Sequence, residues 1–190
     1  QTFSITVIDV NRPPIADDQM VSLDEDSQFD ITISGLDPDG DEVLYSVLEQ
    51  PESGSLSGSG DSYNYIPMID YNGQDGFSFE VSDGILSDTG YVSITINPVN
   101  DDPVIDDIAD QITMEDMDLT ITLSASDIDE NDVLTFDATS DTVNLTVSMV
   151  GDELTMTPTE NWFGGATITV TVSDSSGSTD SDEFILTVNP

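Results

Sequence analysis

Gly90-Tyr91-Val92-Ser93-Ile94-Thr95-Ile96-Asn97-Pro98 alternates apolar and polar residues and stops at Asn-Pro. A period of two places successive side chains on opposite faces of an extended chain, so this is a strand with one face against a core. Proline ends it, having no N–H to give to a ladder. The same ending returns as Glu183-Phe184-Ile185-Leu186-Thr187-Val188-Asn189-Pro190. Working back from both endings, the sequence pairs with itself at a spacing of roughly 90 residues. Val81-Ser82-Asp83 answers to Val172-Ser173-Asp174, and Tyr71-Asn72-Gly73 to Trp162-Phe163-Gly164. Asp37-Pro38-Asp39 answers to Asp127-Ile128-Asp129, Glu25-Asp26 to Glu115-Asp116, and Pro14-Ile15 to Pro103-Val104.

Each copy holds short alternating runs bounded by Gly, Asp, Asn and Ser, as half-buried strands require. In the first they fall near Gln19–Leu23, Phe29–Ile33, Val43–Leu48, Gly54–Leu56, Ser62–Tyr65, Phe77–Val81 and Gly90–Ile96. In the second they fall near Ala109–Met114, Leu119–Leu123, Val133–Phe136, Leu145–Met149, Glu153–Met156, Ala166–Val172 and Glu183–Val188. No stretch supports a helix of useful length. About seven strands in roughly 90 residues predict an all-β chain of immunoglobulin-like sandwiches. The expected division is 13–98 for one repeat and 99–190 for the next. Residues 1–12 stand apart: Thr2–Asn11 is similar to Val92–Asn100 and reads as the last strand and linker of a preceding repeat.

Composition narrows the chemistry. One Lys or Arg stands against 40 Asp and Glu, with no His and no Cys, for a formal net charge of -39. Without His or Cys there is no nucleophile–imidazole pair and no ordinary zinc site, and the chain is expected not to be an enzyme. A glycosidase could work with two carboxylates, but a domain of this size rarely supplies the cleft it needs. With Arg12 as the one cation, nucleic acid and anionic membranes would be repelled. No long apolar run offers insertion into a bilayer. Hard cations bound through oxygen, calcium above all, are the natural partners of such a carboxylate set. An acidic surface also serves solubility alone, which accounts for scattered acids and not for clustered ones.

Clustering recurs in both copies. Glu25-Asp26 and Glu115-Asp116 lie between the first two strands, Asp37/Asp39 and Asp127/Asp129 between the second and third, and Asp83 and Asp174 after the sixth. Successive loops of a sandwich alternate between its ends, so the second and third elements share one end. The acidic pair shares the other end with Asp70-Tyr71-Asn72-Gly73-Gln74-Asp75, where Asp70 or Asp75 is a further candidate. As a plain turn, Asp37-Pro38-Asp39-Gly40 would need only its Asp-Pro and Asp-Gly. The second copy keeps the two acids while losing Pro and Gly, which favours a ligand role. An EF-hand is excluded by the misplaced Gly and the missing Glu at the twelfth place. Tyr71 and Trp162 read as plugs at the base of each core in preference to a sugar-stacking platform, and Tyr63 and Tyr65 carry the same two readings. Asn144-Leu145-Thr146 fits a glycosylation sequon.

These residues resemble a family. Glu25, Val99-Asn100-Asp101-Asp102-Pro103, Asp127-Ile128-Asp129 and Asp174 are similar to the calcium ligands of cadherin repeats, and the whole chain resembles the bacterial cadherin-like repeats of large adhesins and secreted proteins. The resemblance implies two Greek-key, cadherin-like sandwiches arranged end to end, with calcium as cofactor. Its implied ligands at the junction are Glu25, Asn100, Asp101, Asp102, Asp127, Asp129 and Asp174. At the first linker the corresponding set is Asp9, Asn11, Asp37, Asp39 and Asp83. There Arg12 stands where the family has an acid and the preceding repeat's Glu is missing, so the first linker is expected to bind calcium more weakly than the junction, although Pro98 replaces the first acid of the junction. The implied role is a calcium-stiffened spacer or adhesion segment at the cell surface or outside the cell. Its partners would be calcium, the neighbouring repeats of the same chain, and a polysaccharide or another surface protein. The alternative is a carbohydrate-binding module.

Overall fold

Across the residues that the computed structural model describes, 3–6 and 10–190, every regular element is a β-strand. Two units separate, one ending at Val99 and the other running Asn100–Pro190. The first repeat contains β1 (Ile15–Ala16), β2 (Gln19–Asp24), β3 (Phe29–Thr32), β4 (Gly35–Leu36), β5 (Leu44–Glu49), β6 (Gly54–Ser59), β7 (Ser62–Pro67), β8 (Gly73–Ser82) and β9 (Ser87–Asn97). One sheet runs β2-β9-β8-β5 and the other β3-β7-β6, with β1 paired to β4. Strand β2 lies parallel to β9, Gln19 beside Val92. The remaining pairs are antiparallel.

The second repeat repeats the plan. Its strands are β10 (Val104–Ile105), β11 (Gln111–Met114), β12 (Leu119–Thr122), β13 (Ala125–Ser126), β14 (Thr135–Ser140), β15 (Leu145–Val150), β16 (Glu153–Pro158), β17 (Gly164–Ser173) and β18 (Thr179–Asn189). They form sheets β11-β18-β17-β14 and β12-β16-β15 plus the pair β10-β13. All fourteen expected strands are present with shifted ends. The strand expected at Val133–Phe136 starts later, as β14 at Thr135, because Val133 sits in the preceding loop and is exposed, while β8 and β18 begin four residues earlier than expected. The short β1, β4, β10 and β13 were not read from sequence, since two residues carry no period.

Alternation fills each core. Phe77, Phe79 and Val81 on β8 share the core side of their sheet with Val92, Ile94 and Ile96 on β9, all buried, as Ile168, Val170 and Val172 do with Phe184, Leu186 and Val188 in the second repeat. Close packing explains one glycine: a Cβ on Gly54 would lie 2.5 Å from the Tyr65 ring. Tyr65 is fully buried and Tyr63 packs on Phe77 at 6.1 Å between ring centroids, so both tyrosines belong to the core. Tyr71 and Trp162 are half-buried against their cores, each ring lying beside the glycine two residues on, Gly73 and Gly164. Residues 3–6 form no strand, with Phe3 and Ile5 exposed.

With one cation in the chain, carboxylates are satisfied by backbone amides instead. Asp88 accepts from the Ala16 N–H at 3.0 Å and Asp18 from the Tyr91 N–H at 2.8 Å, fastening the split first strand to β9. Asp180 and Asp110 do the same for Ile105 and Ile185 at 3.0 and 2.8 Å.

Candidate metal centres

At one end of each repeat the loop after β4 or β13 meets the loop after β8 or β17. In the first repeat Asp37 opens the turn: its Oδ1 accepts from the Asp39 N–H at 2.7 Å and the Asp41 N–H at 3.4 Å. This is the side-chain-to-backbone closure by which Asp favours turns. Asp37 is buried, 4% exposed, and its Oδ2 has no hydrogen-bond partner among the described residues. The second repeat places Asp127 alike, Oδ1 accepting from Asp129 N–H at 3.0 Å and Oδ2 buried without a partner.

The hairpin Asp folds its own loop. Asp83 Oδ1 accepts from the amides of Ile85 and Leu86 at 2.6 and 2.7 Å, and Oδ2 from Asn11 Nδ2 at 2.8 Å. Asp174 Oδ1 accepts from the amides of Gly177 and Ser178 at 2.5 and 2.7 Å, and Oδ2 from Asn100 Nδ2 at 2.7 Å. These bonds favour the ionised form. The Leu86 amide, with Asn11 and the Ile85 amide, holds Asp83 below the usual carboxylate range, and Asn100, followed by the Gly177 and Ser178 amides, does so for Asp174. Both therefore remain charged through the neutral range.

Carboxylate oxygens of Asp37, Asp41 and Asp83 lie within 4.8 Å of one another, and so do those of Asp127, Asp132 and Asp174. Like charges at this spacing repel by roughly 1 kcal/mol per pair in water and by several at a protein surface. The orphaned buried oxygens of Asp37 and Asp127 and the all-oxygen donor set fit a hard divalent cation. Sequence reasoning missed Asp41 and Asp132. The loop in the second repeat is one residue longer, so equal counting from Asp127 reaches Asn131 instead of the acid.

Other candidates are placed differently. Asp39 is held by Arg12, whose Nη2 and Nε reach Oδ1 at 2.6 and 2.9 Å while its N–H gives to Oδ2 at 2.7 Å. That guanidinium is the first cause of an Asp39 pKa below the ordinary value. Asp129 Oδ2 instead accepts from the Asp101 N–H at 2.8 Å. Glu25 is 4% exposed, its Oε1 accepting from the Val99 N–H at 2.7 Å and its Oε2 from Asn72 Nδ2 at 3.4 Å. Asp102 is exposed, and Asp9 lies outside the described residues.

Asp75 corrects an expectation. It belongs to β8 rather than a loop, its Oδ2 accepts from Tyr65 Oη at 2.7 Å and the Ser53 N–H at 3.0 Å, and its Oδ1 accepts from the amides of Glu52 and Gly76 at 2.9 and 2.8 Å. A carboxylate so engaged supports the core and has no oxygen to offer an ion. Asp70 meets Asp26 instead: its N–H gives to Asp26 Oδ1 at 3.2 Å, both residues at positive φ. The Asn161 N–H repeats this to Asp116 Oδ1 at 2.8 Å.

The family model described as bacterial Ig domain matches residues 11–95 and again 100–187. The chain belongs to the bacterial Ig domain family. Its sandwiches are also similar to cadherin repeats, as the sequence resemblance implied. Human protocadherin-24 EC1-2 aligns with a TM-score of 0.66 at 13% identity, over 95% of this chain and 99% of that one. Mouse cadherin-23 EC22-24 aligns at 0.63 and 15% identity, over 94% of this chain and 67% of that one. The human extracellular matrix organizing protein FRAS1 is 31% identical over 164 residues, which span 72% of this chain and 4% of that protein. No helix among the described residues is long and apolar enough to cross a membrane.

Proposed function

We propose that this bacterial Ig-family tandem is a non-catalytic spacer or adhesion segment working outside the cell, and that calcium makes its repeats rigid. What carries the reading is the pair of buried, unpartnered carboxylate oxygens on Asp37 and Asp127 at equivalent places beside Asp83 and Asp174. Removing such oxygens from water without a partner is costly, and a bound cation offsets that cost. Asp37, Asp83, Asp127, Asp129 and Asp174 would hold the ions. Asn11 and Asn100 orient Asp83 and Asp174 through their amides. Asp39 would contribute only if Arg12 released it. Glu25, Asp9, Asp101 and Asp102 complete the proposed set. Calcium supplies positive charge between carboxylates that otherwise repel, so loops free to spread become fixed.

Small-angle scattering of the full chain with calcium and with chelator tests this. Calcium is expected to lower the spread of end-to-end distances. An unchanged scattering curve would remove the stiffening role.

A second reading has one observation in its favour. A polar cleft of about 690 Å³ in the first repeat is lined by Tyr71 and Tyr91 with Gln50, Gln74, Glu49 and Glu52, and Tyr91 is 49% exposed. Rings beside amides and carboxylates are the chemistry that contacts sugars. Retention on insoluble polysaccharide, abolished by Tyr91→Ala, would establish carbohydrate binding.

A further inference from the structure

We propose that each repeat holds a divalent cation by itself, with Asp41 completing the site in the first repeat and Asp132 in the second. The proposal rests on the cation reading above and assigns its ligands. In both repeats three carboxylates from two loops of the same unit converge within 4.8 Å. In both, one of the three is the turn-opening Asp whose buried Oδ2 has no donor, although its Oδ1 is engaged by the turn.

Asp41 and Asp132 arrive by different backbone routes. Asp41 lies four positions after Asp37, and Asp132 five positions after Asp127. Gly40 takes φ 86° in the shorter loop and Asn131 φ 71° in the longer, so each chain turns through a left-handed residue shortly before the third acid. An acid thus returns to the same cluster despite the insertion. Folding alone does not explain it in the first repeat, where Asp41 is exposed and its side chain accepts no hydrogen bond among the described residues. Asp132 also accepts from the Ser175 hydroxyl, which ties it to the hairpin loop carrying Asp174.

Charge separates the two sites. The guanidinium of Arg12 lies against Asp39 in the first, whereas the second has an acid, Asp101, at the equivalent backbone position. The second site therefore binds calcium more tightly.

Calorimetric titration of the full chain with calcium chloride at fixed ionic strength decides this. The variants are Asp41→Asn, Asp132→Asn and, as a charge control away from both clusters, Asp118→Asn, with far-UV circular dichroism confirming that each is folded. Asp41→Asn is expected to weaken the weaker of the two sites at least about tenfold and Asp132→Asn the tighter, while Asp118→Asn stays within about twofold of the parent. Parent-like titrations of Asp41→Asn and Asp132→Asn would overturn the assignment. If Asp37→Asn and Asp127→Asn still lost binding, the cation reading would stand without it. A parent chain that takes up no calcium would end both.

Discussion

In the first repeat the Arg12 amide gives its hydrogen to Asp39 at 2.7 Å, and in the second the Asp101 amide gives its hydrogen to Asp129 at 2.8 Å. Asn11 and Asn100 reach Asp83 and Asp174 in the same way. The backbone frame is shared while the side chain mounted on it changes sign, so loop geometry and local charge are separable properties of this fold. The cores differ comparably. Tyr65 and Asp75 form a buried hydrogen bond in the first repeat, where Met156 and Ala166 stand at the equivalent positions of the second. At these positions one core has a polar contact and the other apolar side chains.

The two repeats also carry different chromophores. All five tyrosines, at 45, 63, 65, 71 and 91, lie in the first, and the one tryptophan, Trp162, lies in the second. Melting can therefore be followed repeat by repeat. At calcium about a hundredfold above the dissociation constant, a site contributes about 2.7 kcal/mol, which for a domain of this size raises Tm by roughly 10–20 °C. The Trp162 transition is expected to move further than the tyrosine transition. Equal shifts would show that Arg12 does not set the difference, and identical melts in calcium and chelator would remove the cation altogether.

Tyr65→Phe is expected to destabilise the first repeat by about 1–2 kcal/mol, since Asp75 loses a donor inside the core. Urea denaturation followed by circular dichroism should show an earlier first transition and an unmoved Trp162 transition. Should the Trp162 signal shift equally, the repeats would be coupled more strongly than two separate cores allow.

Arg12→Ala releases Asp39 and is expected to tighten calcium binding in the first repeat by about tenfold, bringing the two sites closer. The lost ion pair, exposed on the arginine side, is screened by solvent and contributes little to stability. Calorimetry showing no gain in affinity would assign the inequality to loop length instead.

The smallest effect is alkaline. Burial, reinforced by the hydrogen bond to Asp75, pushes the Tyr65 phenol well above its ordinary value. A raised pKa means that the folded state favours the protonated phenol, so this contribution is complete below about pH 10 and declines as pH rises beyond it. Absorbance titration should show Tyr65 ionising last, together with unfolding of the first repeat. Early ionisation of all five tyrosines with the fold retained would contradict its burial.

The strand pattern was legible because Phe77–Val81 and Ile168–Val172 alternate strictly and pair with equally strict neighbours. Two-residue β1 and β4 were not, because pairing rather than periodicity defines them. Asp37, Asp83, Asp127 and Asp174 could be found by recurrence, whereas the single-residue insertion hid Asp41 and Asp132. Asp75 misled for the opposite reason. Asp70–Asp75 is rich in turn residues, yet the chain enters β8 at Gly73, which turns Asp75 toward Tyr65. Glu25 showed its acidity in the sequence but not that Val99 and Asn72 would claim it.

The carboxylates that accept from backbone amides, Asp18, Asp88, Asp110 and Asp180 among them, bear on how the molecule meets brine. Proteins held by surface ion pairs lose some of that attraction as ionic strength rises. Here one ion pair among the described residues, Arg12 with Asp39, stands against a formal charge of -39. Added salt has almost no attraction to screen and a great deal of repulsion, while short hydrogen bonds to amides depend little on screening. The chain should become more stable as its medium approaches the salinity of the sea, even with no specific ion bound.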